Sequence, residues 1–247
     1  ADLKARYVDA LVSEIRHQPS EIPASADTVF FGGGTPSLLE PDEIGRIIDA
    51  CREAFALAAD AEITMEANPE SVTRERLEGY RRAGVNRISF GVQSFDDAAL
   101  QRIGRIHDAA QADRAIKHAQ DAGIDNLNLD LMYALPQQTL AGALDDVEKG
   151  ILLQTPHLSH YQLTLEPNTQ FAANPPPLPD EDSAWDMQEA CQARLTQAGM
   201  AQYEVSAYAR AGAECAHNLN YWRFGDYPGI GAGAAAQLTC RATGTIR

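Results

Sequence analysis

Three consecutive glycines, Gly32, Gly33 and Gly34, followed by Thr35 and Pro36, stand directly after a β-rich run at 28–31. With no side chains at a strand's C-terminal end, a ligand can reach the backbone amides. The loop lacks the lysine of a P-loop and the spacing of a dinucleotide fingerprint, so alone it reads as a tight turn or an anion cradle. Three further polar residues occupy the same relative place in later runs: Glu66 closes 62–66, Gln93 follows 87–92, and Asp130 lies late in 127–132. Taken singly, each is an ordinary solvated or ion-paired strand end. Side chains repeated in register at one edge of a parallel sheet have the pattern of a shared binding rim. Arg105, beyond the third run, offers a fork of donors suited to a carboxylate.

The elements that must position these groups alternate β-rich runs with helical periodicity, the signature of βα units building a parallel sheet. Strands are expected at 28–31, 62–66, 87–92, 127–132 and 161–165, separated by stretches long enough for crossover helices. Ile44, Ile47, Ile48, Cys51 and Phe55 recur at helical spacing behind Pro41, which suits a first turn. Thr73 and Asp108 are expected N-caps, and Gly84 and Gly123 are expected at left-handed helix ends. Residues 1–16 read as an amphipathic helix. In the fourth run, Leu127, Leu129 and Leu131 alternate with Asn126, Asn128 and Asp130, which leaves one face polar and suggests a polar guest inside the sheet. Pro175, Pro176, Pro177 and Pro179 exclude a helix interior or central strand, so a soft boundary is expected between 1–173 and 174–247. Beyond it, a helix is expected at 183–198 and a strand at 203–208.

With 247 residues and 45% hydrophobic content, the chain is of ordinary globular composition and can bury a full core. A net charge of -15 argues against a nucleic-acid partner, because phosphate backbones are bound by clustered Lys and Arg. No run reaches the roughly 18 to 20 apolar residues of a membrane span, and no signal peptide opens the chain, so a cytoplasmic protein is expected. Cys51, Cys191, Cys215 and Cys240 are too far apart for a paired-ligand metal motif and are expected to be reduced, Cys51 as a core residue.

The strings from Phe30 to Ser37, Met65 to Glu70, Gly91 to Phe95 and Asp130 to Thr139 resemble, in order and spacing, the oxygen-independent coproporphyrinogen III oxidase family. That family belongs to the radical S-adenosylmethionine (SAM) superfamily, and the resemblance runs from about Tyr7 to the end. It implies a partial (β/α)6 TIM-like barrel with strands two to six present, followed by the start of a smaller α+β region. It also implies SAM as cofactor: Gly33, Gly34 and Thr35 would cradle the amino group. Glu66 and Arg105 would address the charged methionine end, and Gln93 and Asp130 the ribose. Glu66-Ala67-Asn68-Pro69 and His217-Asn218-Leu219-Asn220-Tyr221-Trp222 are more similar to the family's haem chaperone branch than to its oxidases. The resemblance then makes His217 an axial haem ligand and Tyr221 and Trp222 porphyrin-packing groups.

The family holds a four-iron four-sulfur (4Fe-4S) cluster on a Cys-x-x-x-Cys-x-x-Cys loop that this sequence does not contain. The loop and first barrel strand are therefore expected upstream of Ala1, and the chain is expected to be truncated at both ends and unable by itself to cleave SAM. Two activities stay open: a haem chaperone with an acceptor protein and an electron donor as partners, or a porphyrin-pathway oxidase that decarboxylates propionates. A phosphate-binding barrel enzyme is a third reading, opposed by the negative charge of Glu66 and Asp130.

Overall fold

The computed structural model describes residues 3–18, 25–240 and 245–246. Helix α1 (Leu3–Arg16) leads into β1 (Thr28–Phe31), α2 (Pro41–Phe55), β2 (Glu62–Ala67), α3 (Arg74–Ala83), β3 (Arg87–Gln93), α4 (Asp97–Arg102), α5 (Ala109–Asp121), β4 (Asn126–Tyr133), α6 (Leu140–Leu152) and β5 (His157–Gln162). Then follow α7 (Gln170–Ala173), α8 (Glu181–Gln197), β6 (Ala201–Gln202), β7 (Ala207–Ala209), α9 (Ala216–Trp222) and the hairpin of β8 (Thr239–Cys240) and β9 (Thr245–Ile246). Strands β1 to β5 are parallel and ordered as in the chain; β7 joins β5 antiparallel and β6 forms the far edge. This is the α/β arrangement of in-order parallel strands and crossover helices expected from the sequence.

Local chemistry sets the helix ends. Glu40 and Glu43 form a reciprocal capping box around Pro41 at the start of α2, and its stripe of Ile44, Ile47, Ile48, Cys51 and Phe55 is buried. Thr73 Oγ1 accepts the Arg76 amide at the start of α3, and Asp108 with Gln111 caps α5. Gly84 and Gly123 take positive φ angles of 115° and 77°, Gly84 as the C-cap of α3 and Gly123 one residue past the C-cap of α5. Outward-facing Ile63, Met65, Ile88, Phe90, Leu127, Leu129, Leu131 and Leu158 pack beneath these helices in one core.

Two strands differ from expectation. The fifth is His157–Gln162, not 161–165, because its apolar content is almost confined to Leu158. His157 and Ser159 turn inward, whereas His160 faces outward and stacks on Tyr133 at 4.8 Å. Around the expected strand at 203–208, only Ala207–Ala209 enters the sheet, and Tyr203 instead turns its hydroxyl to His157. Residues 175–180 are irregular, as the prolines require. The chain then returns to the same core through Met187, Cys191 and Leu195 of α8, with Arg194 paired to Glu148 of α6 at 2.7 Å. The expected first helix is α1; Ala1, Asp2 and Arg247 lie outside the described residues. Among the described residues, no helix is long and apolar enough to cross a membrane.

Leu129 has no exposed surface and sits at the centre of this outer core. Leu129→Ala should lower the unfolding free energy by about 2–5 kcal/mol in a denaturant titration; a loss below about 1 kcal/mol would mean the core tolerates the cavity.

Candidate functional site at the strand ends

The Gly32–Gly34 loop leaves β1 directly above Glu66. An added Cβ on Gly32 would press on the Phe30 ring at 3.0 Å and on Glu66 Oε1 at 3.3 Å, so a side chain there would have to displace both by a few tenths of an ångström. Gly33 has a φ of 111°, and added Cβ atoms on Gly33 or Gly34 would meet nothing within 4 Å. This part of the loop is open. The Gly33 amide donates to Glu66 Oε2 at 3.2 Å, and Thr35 Oγ1 donates to the Gly34 carbonyl at 2.7 Å. Burial raises the Glu66 pKa, the Gly33 amide opposes that shift, and the negative charge of Asp130 adds to it.

Gln93 ends β3 with a φ of 69°, a left-handed conformation that costs a residue with a side chain about 1 kcal/mol or more. Its Oε1 accepts the Tyr161 hydroxyl at 3.0 Å. Burial pushes the Tyr161 phenol up to about 12; Asp130 and Glu66 raise it further, while Gln93 and Arg105 oppose. One hydroxyl is therefore bonded to Gln93 and lies within electrostatic reach of Glu66, Arg105 and Asp130. Tyr161 belongs to the site and was not among the residues singled out from sequence. Its inward phase in β5 was the available signal. Arg105, partly exposed, makes no salt bridge with any described residue.

Beneath the rim, polar side chains pass hydrogen bonds in one direction. The Tyr203 hydroxyl faces His157 Nε2 at 2.7 Å, and His157 Nδ1 faces Asn128 Oδ1 at 2.6 Å. Because Asn128 Oδ1 can only accept, Nδ1 carries the proton and Nε2 accepts from Tyr203. Asn128 Nδ2 donates to Ser89 Oγ at 2.7 Å and to Asp130 Oδ1 at 2.8 Å, and Ser89 donates to Asp130 Oδ2 at 3.0 Å. The chain terminates on a carboxylate. Burial pushes His157 down to about 3, with Arg87 adding to the effect, so the ring is neutral as the geometry requires. Burial raises Asp130, opposed by its hydrogen bonds from Asn128, Ser89 and Ser159 and by the charge of Arg87.

His217, Tyr221 and Trp222 lie on α9, which packs across β1. Glu62 holds the helix start: Oε1 accepts the Cys215 thiol and the His217 amide at 3.3 and 3.2 Å, and Oε2 accepts the Ala216 amide at 3.1 Å. The His217 ring stacks on Phe30 at 4.6 Å and meets Tyr221 edge-on at 4.8 Å. Burial lowers its pKa, which keeps a lone pair available, and Trp222 and Phe224 are 52% and 70% exposed beside it. Phe30 thus touches the open glycine loop at its edge and His217 on its face.

The described cysteine side chains do not converge. Cys51 lies in α2, Cys191 in α8 and Cys215 before α9, and burial pushes their thiols up to about 11, 12 and 11. They are protonated at neutral pH, whereas iron is held by thiolates. Among the described residues, no group of three His, Cys, Asp or Glu is arranged for a metal ion. A 4Fe-4S cluster does not fit these residues. The Cys240 side chain lies outside the described residues.

A glycine loop and carboxylate, amide and guanidinium side chains thus stand at or beyond the C-terminal ends of parallel strands in an α/β fold. The chain belongs to the radical SAM superfamily, whose family model matches residues 2–149. The heme chaperone HemW of Escherichia coli (strain K12) is 56% identical over 234 residues, 94% of this chain and 62% of that protein. Radical S-adenosyl methionine domain-containing protein 1, mitochondrial, of Mus musculus is 43% identical over 222 residues, 88% of this chain and 50% of that protein. Among solved structures, the coproporphyrinogen III oxidase (HemN) from Escherichia coli superposes with a TM-score of 0.80 at 28% identity, covering 94% of this chain and 57% of that one. The chain therefore spans about half to three fifths of the length of these relatives.

Asp130 yields a pH prediction. Its folded-state pKa is raised, so the folded protein binds its proton more tightly than the unfolded chain, and stability from this group is lost as pH rises above the ordinary aspartate range. Asp130→Asn removes the titration. Its unfolding midpoint should gain on wild type as pH rises above the ordinary aspartate range; a gap independent of pH would show that Asp130 titrates normally.

Proposed function

We propose that this chain forms the SAM- and haem-binding barrel of a haem chaperone. The observation that carries the SAM assignment is the bond from the Gly33 amide of the open glycine loop to Glu66, whose proton affinity is raised by burial and by the charge of Asp130. A carboxylate in that setting favours a cation beside it. SAM brings an ammonium and a sulfonium, and its carboxylate matches the free guanidinium of Arg105. Glu66 would take the ammonium beside Gly33, Gly34 and Thr35, Asp130 would accept from a ribose hydroxyl, and Gln93 would donate to one through its NH2 group. Tyr161 holds the Gln93 amide in one orientation, leaving its NH2 end for the ligand. When bound, SAM would supply radical chemistry, which the barrel walls shield from water.

For haem, support comes from α9: a neutral His217 clamped between Phe30 and Tyr221, next to exposed Trp222 and Phe224. A porphyrin covers such aromatic surface, and a held neutral imidazole is the form that binds iron. The greater identity to relatives named heme chaperone HemW, 56% against 28% for the HemN structure, favours chaperone over oxidase. The proposal places the protein in the cytoplasm, with a haem-acceptor protein and an electron donor as partners.

Calorimetric titration of the full-length protein with SAM tests the rim. Glu66→Gln should weaken binding about tenfold to a hundredfold, the loss of one charge-assisted hydrogen bond, and unchanged affinity would remove Glu66 from the site. For the second ligand, His217→Ala should shift or abolish the Soret band of the haem complex, and an unaltered spectrum would exclude His217 as the axial ligand. Anaerobic turnover of coproporphyrinogen III would overturn the chaperone reading.

A further inference from the structure

The left-handed turn at Gln93 must be held from outside. The Ser94 amide closes a tight turn onto the Val92 carbonyl at 2.9 Å, and the buried His107 ring bonds the same carbonyl at 3.0 Å while its other nitrogen faces Glu70 at 3.1 Å. On the opposite side stands Asp146 of α6, 3% exposed and absent from the site described above. Its two oxygens receive the Ser94 hydroxyl at 3.0 and 2.8 Å, the Phe95 amide at 2.6 Å and Gln138 Nε2 at 3.3 Å. Its helix neighbours Ala143, Val147 and Gly150 are buried in the apolar core or fully packed. An apolar residue would fill such a position without desolvating a carboxyl group, so packing alone does not account for an aspartate there.

We infer that Asp146 is a positioning residue that clamps the Ser94–Phe95 turn and thereby holds Gln93 in its ligand-facing conformation. The inference rests on the reading of the rim as a SAM site. The clamp is sensitive to acid. Burial pushes the Asp146 carboxyl up to about 6, opposed by Phe95 and Ser94 and reinforced by the charges of Asp96 and Asp145. From α8, Cys191 faces it as a neutral thiol, itself pushed up to about 12 by burial and by Asp146. When Asp146 takes a proton, one oxygen becomes a donor. The Phe95 amide and Gln138 NH2 can only donate, and a neutral carboxyl accepts their bonds without the charge that strengthens them, so the clamp weakens and the turn loosens.

The signs for affinity and stability are opposite. A raised folded-state pKa means that stability falls as pH rises between the ordinary aspartate range and about 6. Asp146→Asn removes that loss, keeps one oxygen for the Phe95 amide and can donate to Ser94. At neutral pH this variant should melt no lower than wild type, yet bind SAM about tenfold more weakly. An aspartate needed only for folding would lose both together.

The test measures SAM dissociation constants of the full-length, cluster-loaded protein across the acid and neutral range, with melting temperatures and amide exchange of the 93–96 segment. Wild type should lose affinity as pH falls through about 6, and Asp146→Asn should be weak and flat. Ser94→Ala, which removes a bond that lowers the Asp146 pKa, should move the acid limb to higher pH and covers the case in which the asparagine variant does not fold. Wild-type affinity with a retained acid limb in both variants overturns the inference. A wild-type protein that binds no SAM at any pH overturns the rim assignment instead. Amide exchange still judges the clamp in that case: faster exchange at 93–96 in either variant supports it, and unchanged exchange overturns it.

Discussion

Satisfying polar side chains inside the strand layer is the constraint on which this architecture depends. In a parallel sheet wrapped by helices, the outer face is apolar because the helices bury it, but here the inner face carries Ser89, Asn128, Asp130, His157 and Ser159. Each would cost several kcal/mol, or about 1–3 kcal/mol on mutational scales, if buried without a partner. The solution is a one-way sequence of donors and acceptors across β3, β4 and β5 that needs a neutral imidazole in its middle and a carboxylate at its end. His157 meets the first requirement through burial, and at Asp130 the donors oppose the burial that raises its proton affinity. Replacing any member leaves a neighbour unpaired, which is why such networks fix one geometry when complete.

That constraint also explains what could be read from the residues in order and what could not. Helices α2, α3 and α5 were legible because their caps are local: Glu40 with Glu43, Thr73 with Arg76, and Asp108 with Gln111 lie three residues apart. The glycine loop, Glu66, Gln93 and Asp130 are legible because each falls at or near the end of an apolar-alternating strand; in the structure the loop bonds Glu66, Gln93 bonds Tyr161, and the charges of Glu66, Asp130 and Arg105 act on that phenol. The strand β5 was displaced in the sequence reading because His157-Leu158-Ser159-His160 carries almost no apolar alternation. Its inward polar residues make sense only once Asn128 and Tyr203 are known to face them. Contacts across great chain separation were invisible for the same reason. Glu62 caps α9 from 153 to 155 residues away, and nothing near either partner in sequence announces the pairing.

The segment beyond the proline-rich stretch is therefore tied to the barrel interior, whatever further structure surrounds it. Tyr203 donates to His157 and accepts from the Cys215 amide at 3.2 Å and Asn218 Nδ2 at 3.3 Å, so the first turns of α9 are the outer end of the network that terminates on Asp130. A second connection runs through Phe30, whose edge limits Gly32 and whose face carries His217. The candidate SAM rim and the candidate haem helix are thus joined twice, once by hydrogen bonds through the interior and once by ring packing along β1. Geometry of this kind transmits a displacement only if α9 has a second stable position, because a packed network with one arrangement is merely rigid. Helix α9 is seven residues long and buries none of them, so its position depends on the Glu62 cap, on Tyr203 and on the Phe30–His217 stack instead of on core packing.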